Sequence, residues 1–66
     1  MKRIKAERSM IGFSQEALAK KMNVSTPTVQ RWEYGTVDIP TSVLCKLADF
    51  FGCTTDWLLG RSESRK

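Results

Sequence analysis

The stretch QEALAKKMNVSTPTVQRWEY, residues 15–34, constrains the fold more than any other part of the chain. Its apolar residues recur at the spacing expected for two short helices that cross and bury side chains against each other. The positions that this spacing would bury are Leu18, Ala19, Met22, Val24, Val29 and Trp32. The pattern therefore predicts a helix-turn-helix, a motif that can place its second helix in the major groove of DNA.

The size of the chain allows one small domain. With 66 residues it can bury only a modest core, and helices suit such a length best. The proportions of 41% hydrophobic and 27% charged residues argue against wholesale disorder. The net charge of +4 favours a polyanionic partner, although this charge alone does not separate DNA binding from an ordinary basic surface.

The chain lacks the residue sets that metal binding, cofactor binding and catalysis usually require. The chain has two cysteines, Cys45 and Cys53, and no histidine, which leaves too few ligands for a structural zinc site. Both thiols are expected to be reduced and packed as small hydrophobic groups. There is no glycine-rich phosphate loop and no cysteine with a recognisable base partner, so we expect no enzymatic activity, cofactor or small-molecule ligand.

The chain carries no membrane signal. No stretch approaches the roughly 20 apolar residues that cross a bilayer, and MKRIKAERS does not continue into the apolar run of a signal peptide. We therefore expect a soluble, cytoplasmic protein. Residues 1–60 are expected to form the domain, and RSESRK at 61–66 is expected to be a flexible C-terminal tail.

Capping residues and glycines divide the chain into five predicted helices. The N-caps that we expect are Ser14, either Ser25 or Thr26, Thr41 and Thr54, and the residues expected to end helices are Gly12, Asn23, Gly35, Gly52 and Gly60. The first helix, over residues 2–11, would place Ile4, Arg8 and Ile11 on one stripe. Pro27 belongs in the first turn of the third helix, where its missing N–H would have been unpaired anyway.

The outward face of the third helix is a candidate recognition surface. On the side opposite the buried positions, the helix carries small, polar and cationic residues and no acidic one. These residues are Pro27, Gln30, Arg31 and Tyr34. Such a stripe suits contact with a nucleic acid, but it is also typical of a solvated helix face.

Two longer segments carry a family resemblance. SQEALAKKMNVSTPTVQRWEYG, followed by PTSVLCKLADFFGCTTDWLL, resembles the lambda-type Cro/C1, or XRE-like, helix-turn-helix repressor domains over nearly the whole chain. The resemblance implies a compact five-helix, lambda-repressor-like domain whose helices 2 and 3 form the helix-turn-helix. The sequence departs from the family pattern at Asn23, where glycine is usual, and at Pro27, where longer polar residues are common.

For base recognition, the resemblance implies that the third helix enters the major groove with its early residues at the base edges. The base-contacting residues that it implies are Thr26, Pro27, Thr28 and Arg31, with Gln30 as a further outward candidate. Arg31 can donate two parallel hydrogen bonds to guanine, worth roughly 1–3 kcal/mol of discrimination, or can contact a phosphate instead. Pro27 can pack on a thymine methyl or can serve only to initiate the helix.

For the DNA backbone, the resemblance implies contacts near the helix ends. The expected phosphate-contacting residues are Arg8, Ser14, Gln15, Tyr34 and Thr36. Arg8 and Glu33 also match a pair that ties the first helix to the recognition helix, which would give the pair an orienting role. The alternatives are that Ser14 is only a helix cap and that Arg8 and Glu33 are unrelated surface charges.

One such domain reads only a few base pairs, so the resemblance implies a homodimer on operator half-sites about one helical turn, roughly 34 Å, apart. Val43, Phe50 and Trp57 are the candidate dimer interface, and additional core is the alternative role for them. The sequence is therefore interpreted as that of a transcriptional regulator that binds double-stranded operator DNA. Repression is favoured over activation. A protein-interaction module on the same fold, such as an antitoxin, is the alternative function.

Overall fold

Five helices and their connections make up the part of the chain that the computed structural model describes, residues 2–35 and 39–66. The helices are α1 (Lys2–Met10), α2 (Gln15–Met22), α3 (Thr26–Tyr34), α4 (Thr41–Phe51) and α5 (Thr55–Leu58). Within these two ranges there is no strand, and no helix is long and apolar enough to cross a membrane. The predicted all-α class with five helices is confirmed.

Side-chain caps fix where three of the helices begin. The hydroxyls of Ser14, Ser25 and Thr54 each accept a hydrogen bond from the backbone N–H three residues later, at 3.0, 3.4 and 3.0 Å. Ser25 rather than Thr26 is therefore the cap of α3, and Pro27 lies in the first turn of that helix. Each cap satisfies a backbone donor that the helix leaves unpaired, which is worth about 1 kcal/mol.

Helix α4 differs from the prediction at its start and on one face. Its N-cap position is occupied by Pro40 without a side-chain cap, because Thr41 already lies inside the helix. Cys45 is exposed and not packed, since the neighbouring Leu44 takes the buried position on the helix. Cys53 is half-buried beside the core, and this burial raises the pKa of its thiol.

Helix α1 buries a different stripe from the predicted one. Its buried residues are Ile4 and Glu7, which lie three apart and therefore on one face. Arg8 is half-buried, whereas Ile11 lies beyond the end of the helix and is 43% exposed. The predicted stripe is therefore right at Ile4 and wrong beyond it, because the buried face continues to Glu7 instead of Arg8 and the helix ends before Ile11.

One apolar core joins all five helices. Its buried members are Ile4, Leu18, Ala19, Val29, Trp32, Leu44, Leu47, Ala48, Phe51 and Leu58. Full burial of one leucine or isoleucine side chain is worth about 1.5–3 kcal/mol, so these positions hold the short helices together. Helix α3 packs on both α1 and α2, while α4 packs on α2 and α5. Helix α3 is therefore supported by two neighbours.

The segment 61–66 contains no helix, yet it lies against the helical body. The sequence predicts a flexible tail here. In the structure the backbone N–H of Thr54 donates to the carbonyl of Arg65 at 3.0 Å, and the Arg3 guanidinium donates to the carbonyl of Ser62. The side chain of Arg65 reaches Glu7 on α1. These contacts join the segment to α1 and to the residues that follow α4.

Candidate nucleic-acid interface

The turn between α2 and α3 owes its sharpness to one left-handed residue. Asn23 has φ 58° and ψ 46°, and its backbone N–H donates to the last carbonyls of α2. The N–H of Val24 also turns back to the carbonyl of Ala19, at 2.9 Å. Asparagine tolerates this conformation better than most residues other than glycine. The helix-turn-helix predicted at helices 2 and 3 is present with asparagine at the position where the family pattern has glycine.

Helix α3 buries two apolar residues and the carboxylate of Glu33, and it turns a polar face outward. Val29 and Trp32 are buried in the core, whereas Pro27, Gln30 and Arg31 are exposed. Arg31 supplies the only charge among these three outward residues. The helix thus presents an exposed cation and an exposed amide on the same side, which are groups that can donate hydrogen bonds to base edges or phosphates.

The two threonines expected at base edges lie at the start of α3 and are half-buried. The Thr28 hydroxyl is 2.8 Å from the Ser25 hydroxyl, so it belongs to the cap of the helix. Its methyl group remains available for apolar contact, because the hydrogen bond uses only the oxygen. Thr26 occupies the first helical position, directly after the cap. The structure therefore groups Thr26, Pro27 and Thr28 in one turn.

Arg8 and Glu33 tie α1 to α3. The Arg8 guanidinium donates to both carboxylate oxygens of Glu33, from Nε at 2.5 Å and from Nη2 at 3.2 Å. Its Nη1 donates to the carbonyl of Phe13 at 2.8 Å, which adds the α1–α2 connection to the same cluster. The side chains are 12% and 1% exposed, so this pair is largely removed from water. A two-pronged contact of this kind fixes the orientation of both side chains.

Gln15 extends this cluster toward the exposed face of α3. Its Nε2 donates to Glu33 at 3.0 Å, and its Oε1 accepts a hydrogen bond from Gln30 at 3.3 Å. The sequence predicts Gln15 as a phosphate contact but does not predict these two partners. Because an amide nitrogen carries two hydrogens, Gln15 can donate to Glu33 and still direct its second N–H to a phosphate. Glu33 and Gln30 thus set the direction in which the Gln15 amide points.

The remaining predicted phosphate contacts lie at separate helix ends. Ser14 is exposed and caps α2, beside Gln15, so its hydroxyl lies where the N-terminal N–H groups of α2 are found. Tyr34, the last residue of α3, is 72% exposed. Thr36 lies outside the described residues. The structure therefore brings Ser14, Gln15 and Arg8 close to the start of α2 and places Tyr34 at the end of α3.

The three residues predicted for a dimer interface are each half-buried and have partners within the chain. Val43 and Phe50, both on α4, pack against the core, and the Phe50 ring lies 5.4 Å from the Phe13 ring, measured between centroids. The Trp57 indole N–H donates to Glu7 at 3.1 Å. On its ring lies the guanidinium of Arg3, at 3.7 Å from the centroid. Trp57 therefore faces α1.

Three residues with extensive polar contacts, Arg3, Glu7 and Arg65, were not singled out by the sequence reasoning. Glu7 gave one usable signal, because it lies three residues after Ile4 and so shares a helix face with a buried isoleucine. Arg65 gave none, since its partner is 58 residues away in sequence. A polar contact between residues so far apart in sequence does not produce a periodic sequence pattern, so it could not be predicted.

Comparisons with known proteins place these helices in a wider context. The sequence model of the helix-turn-helix family matches residues 4–58, from within α1 to the end of α5. A curated relative, the HTH-type transcriptional regulator ImmR of Bacillus subtilis (strain 168), is 34% identical over 65 residues. The match covers 98% of this chain and 51% of the relative, so the chain spans about half the length of that protein. No solved structure matches the chain.

Proposed function

This chain belongs to the helix-turn-helix family, in its Cro/C1 or XRE-like group, and on that basis we propose that it regulates transcription by binding double-stranded DNA sequence-specifically. The observation that carries the proposal is the exposed face of α3, with Pro27, Gln30 and Arg31. A cap fixes the start of this helix, and the buried pair of Arg8 and Glu33 fixes its orientation. A rigid, non-acidic helix face suits a groove bordered by phosphates.

Base recognition is assigned to the first two turns of α3, inserted in the major groove. Arg31 donates two hydrogen bonds to a guanine and carries most of the hydrogen-bonded discrimination, with Gln30 beside it as a further contact. Thr26, Pro27 and Thr28 form a small apolar surface that fits a thymine methyl group. This division rests on the exposure of Arg31 and Gln30 and on the use of the Thr28 hydroxyl within the cap.

Backbone contacts are assigned to the start of α2 and the end of α3. Ser14 and Gln15 hold one phosphate at the N-terminus of α2, where unpaired N–H groups and the helix dipole favour an anion. Arg8 adds positive charge behind them while it orients Glu33. Tyr34 contacts the strand at the other end of α3, and Thr36, two residues later in the sequence, is assigned as a further phosphate contact. These contacts set the position of the protein on the duplex without reading its sequence.

The functional unit on DNA is a homodimer that covers two half-sites about one helical turn, roughly 34 Å, apart. Its interface lies on the α4 and α5 side, at Val43, Phe50 and Trp57, whose half-buried apolar surface supports this assignment. Occupation of an operator by such a dimer blocks polymerase, so repression is the proposed sign. The protein acts in the cytoplasm, where bacterial operator DNA is found.

The test is selection of bound sites from a random pool of double-stranded DNA, followed by affinity measurements across salt concentrations. We expect a half-site motif that occurs twice at a fixed spacing, and an affinity that falls steeply as salt rises. Arg31→Ala should relax the preference at one base pair of this motif. Lys5→Ala is its matched control, because it removes one exposed positive charge from α1 instead of α3. No enriched motif together with a flat salt dependence would overturn the proposal and favour a protein-interaction module.

A further inference from the structure

The most unusual polar group outside the α2–α3 region is the carboxylate of Glu7. Its side chain is only 3% exposed, on the buried face of α1 next to Ile4. The indole N–H of Trp57 donates to its Oε2 at 3.1 Å. One neutral donor does not compensate a buried negative charge, because desolvation of a carboxylate costs several kcal/mol. The Glu7 carboxylate therefore requires a cation in addition to the Trp57 indole N–H.

Backbone carbonyls complete the surroundings of Glu7. Helix α4 ends at Phe51, so the carbonyls of its last turn have no partner within the helix. The carbonyls of Phe51 and Gly52 both point to the same place as Glu7, because one guanidinium reaches all three groups. A carboxylate and the negative end of a helix dipole thus converge on one position. Such a position favours a planar cation with several N–H donors.

Arg65 occupies this position. Its Nε donates to Glu7 Oε2 at 2.9 Å, its Nη1 to the Gly52 carbonyl at 3.3 Å and its Nη2 to the Phe51 carbonyl at 2.6 Å. The Arg65 side chain is 36% exposed, whereas that of Glu7 is 3% exposed. The acceptors are thus built into the helical body, and the cation arrives from outside on a segment without helix. The buried acceptors therefore correspond to a binding site, and the partly exposed Arg65 side chain corresponds to its ligand.

We propose that Glu7, Trp57 and the last carbonyls of α4 form a guanidinium-binding site, occupied here by Arg65 of the chain's own C-terminal segment and open to exchange. The receptor atoms all belong to α1, α4, α5 and the residue after α4, so none of them lies on the segment that carries Arg65. Within the described residues the backbone of Arg65 makes one hydrogen bond, from the N–H of Thr54, and Arg3 contacts Ser62 and Glu63 on the same segment. An arginine side chain on another polypeptide can therefore replace it.

The site should distinguish a guanidinium from an ammonium group. Three separate acceptors, Glu7 and two carbonyls, lie in directions that the planar fork of one guanidinium satisfies together. A lysine ammonium is compact and strongly hydrated, so it neutralises Glu7 but does not reach all three acceptors at once. The chemical class of ligand is therefore an arginine side chain and not any cation.

The experiment is chemical rescue in the full chain. Arg65→Ala removes the guanidinium and leaves a space that ethylguanidinium fits, and propylammonium is the control probe with the same charge. Arg61→Ala is the matched control variant, since Arg61 is exposed on the same segment and its hydrogen bond to Asp56 uses only backbone atoms. The readouts are the midpoint of thermal unfolding and the NMR signal of the Trp57 indole N–H, which reports directly on Glu7.

We expect Arg65→Ala to lower the unfolding midpoint by several degrees while Arg61→Ala leaves it unchanged. Millimolar ethylguanidinium should restore most of the loss in a saturable way and shift the Trp57 indole signal, and propylammonium should do neither. The same addition should have no effect on wild type or on the Glu7→Gln/Arg65→Ala double variant. If Arg65→Ala is unfolded on its own, ethylguanidinium should increase the folded fraction, again with no effect of propylammonium.

A further experiment tests whether the site also binds an arginine that is supplied on a separate polypeptide. A peptide of residues 61–66, RSESRK, added to the Arg65→Ala protein should bind and shift the Trp57 signal, and the same peptide with Arg65→Lys should not. Equal effects of ethylguanidinium and propylammonium, or equal stability of Arg65→Ala and Arg61→Ala, would overturn the guanidinium site. Rescue by ethylguanidinium without binding of the peptide would restrict the site to its own Arg65 and overturn the exchange.

Discussion

Arg31 is the side chain on which the proposed specificity depends most. It is exposed on α3, opposite the buried Val29 and Trp32, and was predicted from the sequence at this position. Pro27, one turn earlier, has no N–H to offer, so hydrogen-bonded discrimination near the start of the helix is poor. The burden of reading a base by hydrogen bonds therefore falls on Arg31 and, next to it, Gln30.

The first prediction separates base reading from phosphate binding. Arg31→Ala should cost about 1–3 kcal/mol of discrimination at one base pair, because it removes the proposed two-pronged contact to guanine. Gln15→Ala should weaken binding to all sequences alike, because a phosphate contact carries no sequence information. Affinities for the selected operator, its single-base variants and random DNA measure both effects. Equal losses on operator and random DNA for both variants would contradict this division.

The second prediction concerns the buried pair of Arg8 and Glu33. Removing Arg8 by Arg8→Ala leaves the Glu33 carboxylate buried at 1% exposure, and breaking a buried pair in this way costs about 3–5 kcal/mol. Lys20→Ala is the control, because Lys20 pairs with Glu16 at 3.7 Å on an exposed helix surface and that pair is worth only about 0.3–0.5 kcal/mol. Urea unfolding gives both values. A loss for Arg8→Ala no larger than that for Lys20→Ala would show that the fold accommodates the Glu33 carboxylate without the Arg8 guanidinium.

At the scale of elements, the helix boundaries followed from local chemistry wherever a side chain capped or ended a helix. Ser14, Ser25 and Thr54 cap as such residues do, and Asn23 ends α2 in the left-handed conformation. The start of α4 could not be obtained in this way, because Pro40 supplies no side-chain hydrogen bond. Capping residues thus predict a helix end only where a side-chain or backbone hydrogen bond close in sequence creates that end.

The third prediction tests the turn of the helix-turn-helix. Asn23→Ala should destabilise the protein by about 1 kcal/mol, because alanine is strained at a φ of 58° and gains nothing there. Asn23→Gly should be neutral or slightly stabilising, since glycine adopts this conformation without a steric cost. Chemical denaturation of the two variants side by side provides the measurement. A loss in Asn23→Gly as large as in Asn23→Ala would point to a role for the side chain instead of the backbone.

At the scale of the whole molecule, the sequence predicted the apolar core better than the polar contacts between distant parts. Four of the six positions predicted to be buried in residues 15–34 are buried, namely Leu18, Ala19, Val29 and Trp32, because burial of apolar area enforces the helical period. The other two, Met22 and Val24, are half-buried against the core. The hydrogen bonds from Arg65 to Glu7 obey no period, since they depend on where the chain folds back. The same reason kept the Gln15 contacts with Glu33 and Gln30 out of the prediction.

The fourth prediction is a pH dependence that passes through Glu7. The hydrogen bond from Arg65 lowers the pKa of Glu7 below its ordinary 4.5 against the opposing effect of burial, and Trp57 assists. A carboxyl with a depressed folded-state pKa contributes stability above its unfolded value, and this contribution is lost as the pH falls through the folded value.

Wild type should therefore lose more unfolding free energy than Glu7→Gln between about pH 5 and pH 3, measured by urea unfolding at each pH. The charged or titratable groups near Glu7 are Arg65 and Cys53, and both keep their charge state throughout this range. The difference between the two proteins thus isolates Glu7. Parallel curves for wild type and Glu7→Gln would mean that Glu7 has the same pKa in the folded and unfolded states.

The fifth prediction concerns assembly on DNA. Val43→Glu should weaken binding to a pair of half-sites while leaving binding to a single half-site unchanged, because a charge in an apolar interface is costly. Binding to operators with one or two half-sites, together with a circular dichroism spectrum, checks both parts. Arg61→Ala, which changes the charge by one unit at an exposed position, is the control for net charge. If the Val43→Glu protein is unfolded, Val43 is a core residue and not part of a dimer interface.

Glu7 and Arg8 are neighbours on α1, and each holds a different part of the molecule. Successive residues of a helix point about 100° apart, so Glu7 faces Trp57 and Arg65 while Arg8 faces Glu33 on the recognition helix. Two adjacent residues of α1 therefore connect the C-terminal segment to α3, because Glu7 binds Arg65 and Arg8 binds Glu33.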